Sequence, residues 1–186
     1  RLPGQFELWQ RRRLSAPRMK FELSPTIKAF HDSRAFVKVV CGPVGGGKSS
    51  GALMAMFRIA LDQYVGPTGV RRTKWIILRN TMAQLRSTVK PLIDQWFTEL
   101  PGQPLGTWRV SDNTFEIRMN LPDGTHVWTE FVMLAADTPD DVRRLLSMEA
   151  SGAWIEECRE VAREVAEGLM GRVGRFPNQA QGGVKY

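Results

Sequence analysis

Apolar positions along the chain recur in two rhythms, and their alternation sets out a series of strands and helices. Ala35-Phe36-Val37-Lys38-Val39-Val40-Cys41 is a β-branched run that predicts a buried strand. From Ser50 to Tyr64 the chain is apolar with few breaks. Leu53, Met56, Phe57, Ala60 and Tyr64 share one helical face, beside a narrow polar edge at Arg58 and Asp62. A helix this apolar must be covered on most sides, as when helices sandwich a sheet. Gly66-Pro67-Thr68-Gly69 breaks the chain, and Lys74-Trp75-Ile76-Ile77-Leu78-Arg79 predicts a second buried strand. Thr81 and Gln84 stand at capping-box spacing before Met82, Leu85, Val89, Leu92, Ile93 and Trp96, which keep helical spacing. Pro91 is expected to kink or restart that helix.

Beyond a loop marked by Pro101-Gly102 and Pro104, the period drops to two. Phe115, Ile117 and Met119 alternate with Glu116, Arg118 and Asn120; Val127, Thr129 and Phe131 alternate with His126, Trp128 and Glu130. Pro122-Asp123-Gly124 lies between the runs, so they predict a β-hairpin turning near Asp123-Gly124. Its second arm continues through Phe131 to Ala136 as a central strand, and His126 falls on the polar face as a surface histidine. Thr138-Pro139-Asp140-Asp141 starts a short helix, with Thr138 as cap and Pro139 at the first helical position. Val142, Leu145 and Leu146 turn inward on it, and Arg143 and Arg144 point elsewhere. Ser151 to Glu157 reads as a short apolar strand ending in two acids. A helix follows from Glu160 to Met170 and ends at Gly171-Arg172-Val173-Gly174-Arg175-Phe176-Pro177. Strands alternating with helices make a mostly parallel sheet, with ligand sites at the carboxyl ends of the strands.

A length of 186 residues suits one domain with a real core. The expected layout is a basic arm over 1–34, a body over 35–177, and a mobile tail or the start of a further segment over 178–186. In the arm, Arg11-Arg12-Arg13, Arg18 and Lys20 are interleaved with Phe6, Trp9, Phe21 and Phe30, and Ser24-Pro25 opens a helix to about Phe30. The net charge of +7 favours an anionic partner such as nucleic acid, for which the arm is one candidate surface. No apolar stretch is long enough to span a membrane, and the basic N-terminus lacks the apolar core of a signal peptide. Cys41 and Cys158 are too few for a disulfide framework and fit a reducing compartment as free, half-buried thiols. Together with the two histidines they form no zinc spacing.

The candidate chemistry lies between the first strand and the first long helix. Gly42-Pro43-Val44-Gly45-Gly46-Gly47-Lys48-Ser49 fits G-x-x-x-x-G-K-[ST], and strand, glycine loop, helix is the context this motif needs. The glycines let backbone N–H groups converge on phosphate oxygens, and the helix N-terminus adds its positive dipole end. Lys48 reaches the β- and γ-phosphates of a nucleotide, and the Ser49 hydroxyl ligates Mg²⁺. Ser50 completes the candidate nucleotide-binding set. The acids Glu156 and Glu157 end a later strand and so come to the same edge of the sheet. In a P-loop hydrolase one acid there serves the metal, through water, and the other activates the attacking water. Those roles fall to Glu156 and Glu157 respectively.

These stretches together resemble the ATPase domain of a tailed-bacteriophage terminase large subunit. The resemblance is carried by the P-loop, by Leu78-Arg79-Asn80-Thr81 with Gln84-Leu85, and by Val142-Arg143-Arg144-Leu145-Leu146-Ser147. It continues through Gly152-Ala153-Trp154-Ile155-Glu156-Glu157 to Gly171–Pro177, so it spans about residues 24–177. It implies an α/β P-loop NTPase of the RecA-like, ASCE type, whose sheet carries an inserted β-hairpin. It implies ATP and Mg²⁺ as cofactors and translocation of double-stranded DNA into a procapsid. The implied setting is a homo-oligomeric ring on the portal, with a small terminase subunit as partner, in the host cytoplasm during virus assembly. It also implies an arginine acting on a neighbouring subunit's nucleotide, at Arg144 or Arg143, with Arg79, Arg172 and Arg175 as weaker candidates. Two departures stand out. The acid pair is Glu156-Glu157 where the family has Asp-Glu. The family's later coupling strand and nuclease domain are not identifiable before Tyr186, so a gap between the P-loop strand and the strand ending in Glu156 is expected. A helicase-like motor and a nucleotide-binding switch without turnover are the other readings of the same motifs; no carboxylate cluster is left over for a nuclease.

Overall fold

The computed structural model describes residues 22–99 and 104–185. The arginine and aromatic positions from Phe6 to Phe21, and the Pro101-Gly102 loop, lie outside them. The elements in order are α1 (Pro25–Asp32), α2 (Lys48–Asp62), β1 (Val70–Arg79), α3 (Met82–Phe97), β2 (Gly106–Arg109), β3 (Thr114–Asn120), β4 (His126–Ala135), α4 (Pro139–Ser147), β5 (Gly152–Ile155) and α5 (Arg163–Met170).

The five strands form one sheet in the order β2-β3-β4-β1-β5. β1 is parallel to both β4 and β5, whereas the hairpin strand β3 is antiparallel to β4 and to β2. The sheet is thus parallel at its centre, with helices on both faces. Alternation along β1 distributes its side chains between two cores. Trp75 and Ile77 pack with Leu53, Phe57, Leu85, Phe97 and Phe131 under α2 and α3. Ile76 and Leu78 pack with Val132, Leu134, Leu145 and Leu169 under α4 and α5. A strand buried on both faces reads as a continuous apolar run, which is why this one was legible. Phe97 stacks on Phe115 and on Phe131, both at 6.0 Å between ring centroids.

The local signals form as expected. Thr81 and Gln84 make a reciprocal capping box. Thr138 accepts from the Asp141 N–H, and Gly124 turns the hairpin with φ +82°. α1 docks on α2 where Gly51 leaves room: a Cβ there would lie 2.8 Å from Ile27 Cγ2. The His31 Nε2 meets the Gly51 carbonyl at 2.8 Å, and burial lowers the pKa of this imidazole. Residues 178–185, expected as a mobile tail, run back to the end of α2, where the Lys185 N–H donates to Gln63 Oε1 at 2.9 Å.

Several expectations need correction. The run from Ala35 to Cys41 is not a strand. It bends at Phe36-Val37 and is largely exposed, with Phe36 at 71% and Val39 at 72% of full accessibility. The sheet ends at β5, and among the described residues no strand lies beside the run to complete a ladder. A β-branched sequence without a lateral partner has nothing to pair with. Tyr64 lies beyond the end of α2 and is exposed rather than packed. Both cysteines are exposed, not half-buried. The α3 helix runs through Pro91 without restarting, and α5 begins at Arg163, after a short 3₁₀ turn over Cys158–Glu160. Strand β2 was missed because four residues carry too little alternation to register.

Candidate nucleotide and metal site

The loop from Gly42 to Gly47 is held in shape by glycine conformations. Gly45 has φ +81°, and Gly47, the N-cap of α2, has φ +72°, both in the left-handed region where a side chain is disfavoured. The Gly46 N–H donates to the Pro43 carbonyl at 3.3 Å, closing the loop on itself. Val44 stands fully exposed at the apex. The Lys48 ammonium lies across the loop, donating to the carbonyls of Gly42 at 2.9 Å and Pro43 at 2.7 Å. The Ser50 hydroxyl accepts from the Trp96 indole N–H at 3.3 Å, so it faces α3.

The second motif meets the first directly. The Ser49 hydroxyl donates to Glu156 Oε1 at 3.1 Å, across 107 positions of sequence. β5 places that carboxylate: Leu78 pairs with Ile155, and the Glu156 N–H donates to the Leu78 carbonyl at 2.9 Å. Burial pushes the Glu156 pKa up; the Ser49 hydrogen bond and the Arg79 and Lys48 charges pull against it, and the Glu157 charge adds to it. A hydroxyl and a carboxylate are hard oxygen donors of the kind Mg²⁺ takes with retained waters. No cluster of three or more His, Cys, Asp or Glu side chains suited to a metal occurs among the described residues. One hydroxyl and one carboxylate supply two oxygen ligands, which fits a cation that completes its shell with water or phosphate oxygens.

Glu157 breaks the strand. Its φ of 49° and ψ of 57° are left-handed, an uncommon conformation for a residue with a side chain. Such backbone costs of the order of 1–3 kcal/mol, and strained residues cluster at functional sites. The turn sends Glu157 out of the sheet, half-exposed, with Arg159 Nε at 3.5 Å. Next to the half-buried Glu156 this makes a pair with divided environments: one carboxylate bonded to Ser49, the other open to solvent.

Not every candidate joins the site. Arg143 and Arg144 are exposed on the flank of α4, as the pattern of inward apolar residues required. Arg143 pairs with Asp140 in the same helix, whereas Arg144 makes no ion pair among the described residues. Arg79, a weaker candidate for action on a neighbouring subunit, lies mostly covered within this chain, its charge acting on Glu156. Gln84 and Glu160, which lie near the acid pair, were not among the candidates, and Arg79 was one only for a different role. Only the ends of β1 and β5 hinted at the place of Arg79.

No protein-family model and no curated protein sequence matches the chain. Solved structures do. A large terminase from a thermophilic bacteriophage matches with a TM-score of 0.55 and 14% identity, over 70% of this chain and 29% of that one. The ATPase domain of a Thermus phage large terminase matches with a TM-score of 0.53 and 17% identity, over 82% of this chain and 60% of that one. The chain spans less than two thirds of either. At these identities the likeness shows the fold: a mixed α/β sheet flanked by helices, as in the ATPase domains of phage large terminases.

Proposed function

We propose that the chain is the ATP-hydrolysing motor domain of a viral DNA-packaging terminase, driving double-stranded DNA into the procapsid. The observation that carries this reading is the closure of the glycine loop on the acid pair: Ser49 bonded to Glu156, with Glu157 turned out beside them. Loop N–H groups of Gly45 to Ser49 would grip the phosphates, with the positive end of α2 behind them. Lys48 would leave the Gly42 and Pro43 carbonyls for the β- and γ-phosphate oxygens. Ser49 and Glu156 would hold Mg²⁺, which neutralises charge developing on the transferred phosphoryl group. Glu157 would orient the attacking water and accept its proton.

The fold likeness supports terminase over a helicase, and the outward Glu157 supports turnover over a passive switch. The partners that follow are double-stranded DNA, the portal and procapsid, a small terminase subunit, and further copies of this chain in a ring, in the host cytoplasm. Within the ring, Arg144, exposed and without an ion pair among the described residues, is the first choice for the arginine offered to a neighbour's γ-phosphate, and Arg143 the second. Lys48→Ala tests the reading: phosphate release from ATP should vanish. Normal release would rule out the loop as the site. Strand separation by the wild-type chain would favour the helicase reading.

A further inference from the structure

Arg79 closes β1 with a side chain only 13% exposed. It follows Leu78, whose carbonyl receives the Glu156 N–H, so the two charged residues stand at neighbouring strand ends. One terminal nitrogen donates to Thr88 Oγ1 of α3 at 3.0 Å. The Nε is buried and makes no hydrogen bond; Glu160 Oε2 lies 3.8 Å from it, beyond hydrogen-bond reach. The same Glu160 oxygen accepts from Gln84 Nε2 at 3.1 Å. Gln84 is the N3 partner of Thr81 in the capping box at the start of α3. Glu160 ends the 3₁₀ turn that Glu157 opens, and its N–H donates to the Glu157 carbonyl at 2.8 Å.

We propose that Arg79 is a positioning residue: from within the same subunit, it latches the turn carrying Glu157 to the first turns of α3 through Glu160, Gln84 and Thr88. This rests on Glu157 being the group that activates water. The left-handed turn is strained and projects from the sheet, so something must hold it. Glu160 is its far end, and Gln84 alone would tie that end only to a helix terminus. Arg79 ties it to the strand beside Glu156. A planar guanidinium can serve Thr88 and Glu160 at once, whereas a lysine ammonium on a flexible stem presents a single point of charge. A buried N–H without an acceptor is costly, and its persistence here is explained if the Nε closes on Glu160 in the working state.

The test uses the whole chain with Arg79→Ala, Arg79→Lys and Glu160→Gln, and reads two quantities. In steady-state turnover, kcat should fall about ten- to a hundredfold in each variant, while affinity for Mg–ATP stays within about twofold. The double variant Arg79→Ala with Glu160→Gln should be no worse than the worse single one. In amide hydrogen exchange, residues 157–161 should exchange faster in every variant, with 127–134 unchanged. Glu160→Gln removes one charge at a partly exposed position, so it carries the test should Arg79→Ala fail to fold. Wild-type kcat in the variants, or a loss of Mg–ATP affinity equal to the loss of kcat, overturns the positioning role. Unchanged exchange at 157–161 overturns the latch itself. If the wild-type chain hydrolyses no ATP, the hydrolase reading fails by that result alone, and exchange still decides the latch.

Discussion

The two sides of β1 are built on different terms. Toward β4 the strand pairs along its whole length, Val70–Arg79 against His126–Ala135, and both faces are covered. Toward β5 it pairs only from Trp75 to Leu78, and the run before the P-loop, which joins no strand, is exposed. The first side has continuous ladders, alternating apolar residues and aromatic stacks. The second has left-handed backbone at Gly45, Gly47 and Glu157, a raised carboxylate at Glu156 and a guanidinium short of an acceptor at Arg79. Continuous packing lies on one side and the candidate chemistry on the other. The groups that could bind phosphate and metal are those that the packing of the core leaves incompletely satisfied.

The largest effect on stability should come from the covered side. Phe97→Ala removes the ring that links Phe57, Phe115 and Phe131, and should cost about 3–5 kcal/mol in denaturant unfolding. On the other side, Gly47→Val puts a branched side chain at a left-handed position. It should cost about 1–2 kcal/mol of stability and remove detectable nucleotide binding, as read by fluorescent-nucleotide titration. A smaller change is expected at Glu156. Its folded pKa is raised, so the ionised form is disfavoured by folding: the contribution of Glu156 to stability is greatest below the ordinary carboxylate range and is lost as pH rises through the folded pKa. Glu156→Gln should therefore raise the melting temperature at pH 7 without nucleotide, and the gain should disappear as pH falls below that range. The smallest effect should be at Val39, where Val39→Ser should stay within about 0.5 kcal/mol. A cost well above that would mean Val39 is packed in solution, and the contrast between the two sides would fail.

Which parts were legible follows the same division. The capping residues Thr81 and Thr138, the Asp123-Gly124 turn and the glycine loop act over a few neighbours, so their spacing along the chain was enough. The apolar runs of β1 and β4 could be read because burial on both faces leaves a continuous pattern. The run from Phe36 to Val40 has the same composition as a central strand, yet strand formation depends on a lateral partner, which composition does not encode. Glu157 was identifiable as an acid after a strand, but its left-handed turn was not, because Glu carries no preference for it. The surroundings of Arg79 were not legible, because nothing in its neighbours along the chain says that Glu156 and Glu160 come to rest beside it.

The central claim is that this site hydrolyses ATP with Glu157 acting on water. It is tested most directly by comparing Mg–ATP binding and single-turnover phosphate release in the wild-type chain and in Glu157→Gln. The amide keeps the size of the side chain and loses its basicity, so binding should stay within about twofold, while release should slow by about 10²–10⁴. Release at the wild-type rate would contradict the claim, and loss of binding in step with loss of turnover would make Glu157 a metal or structural residue instead.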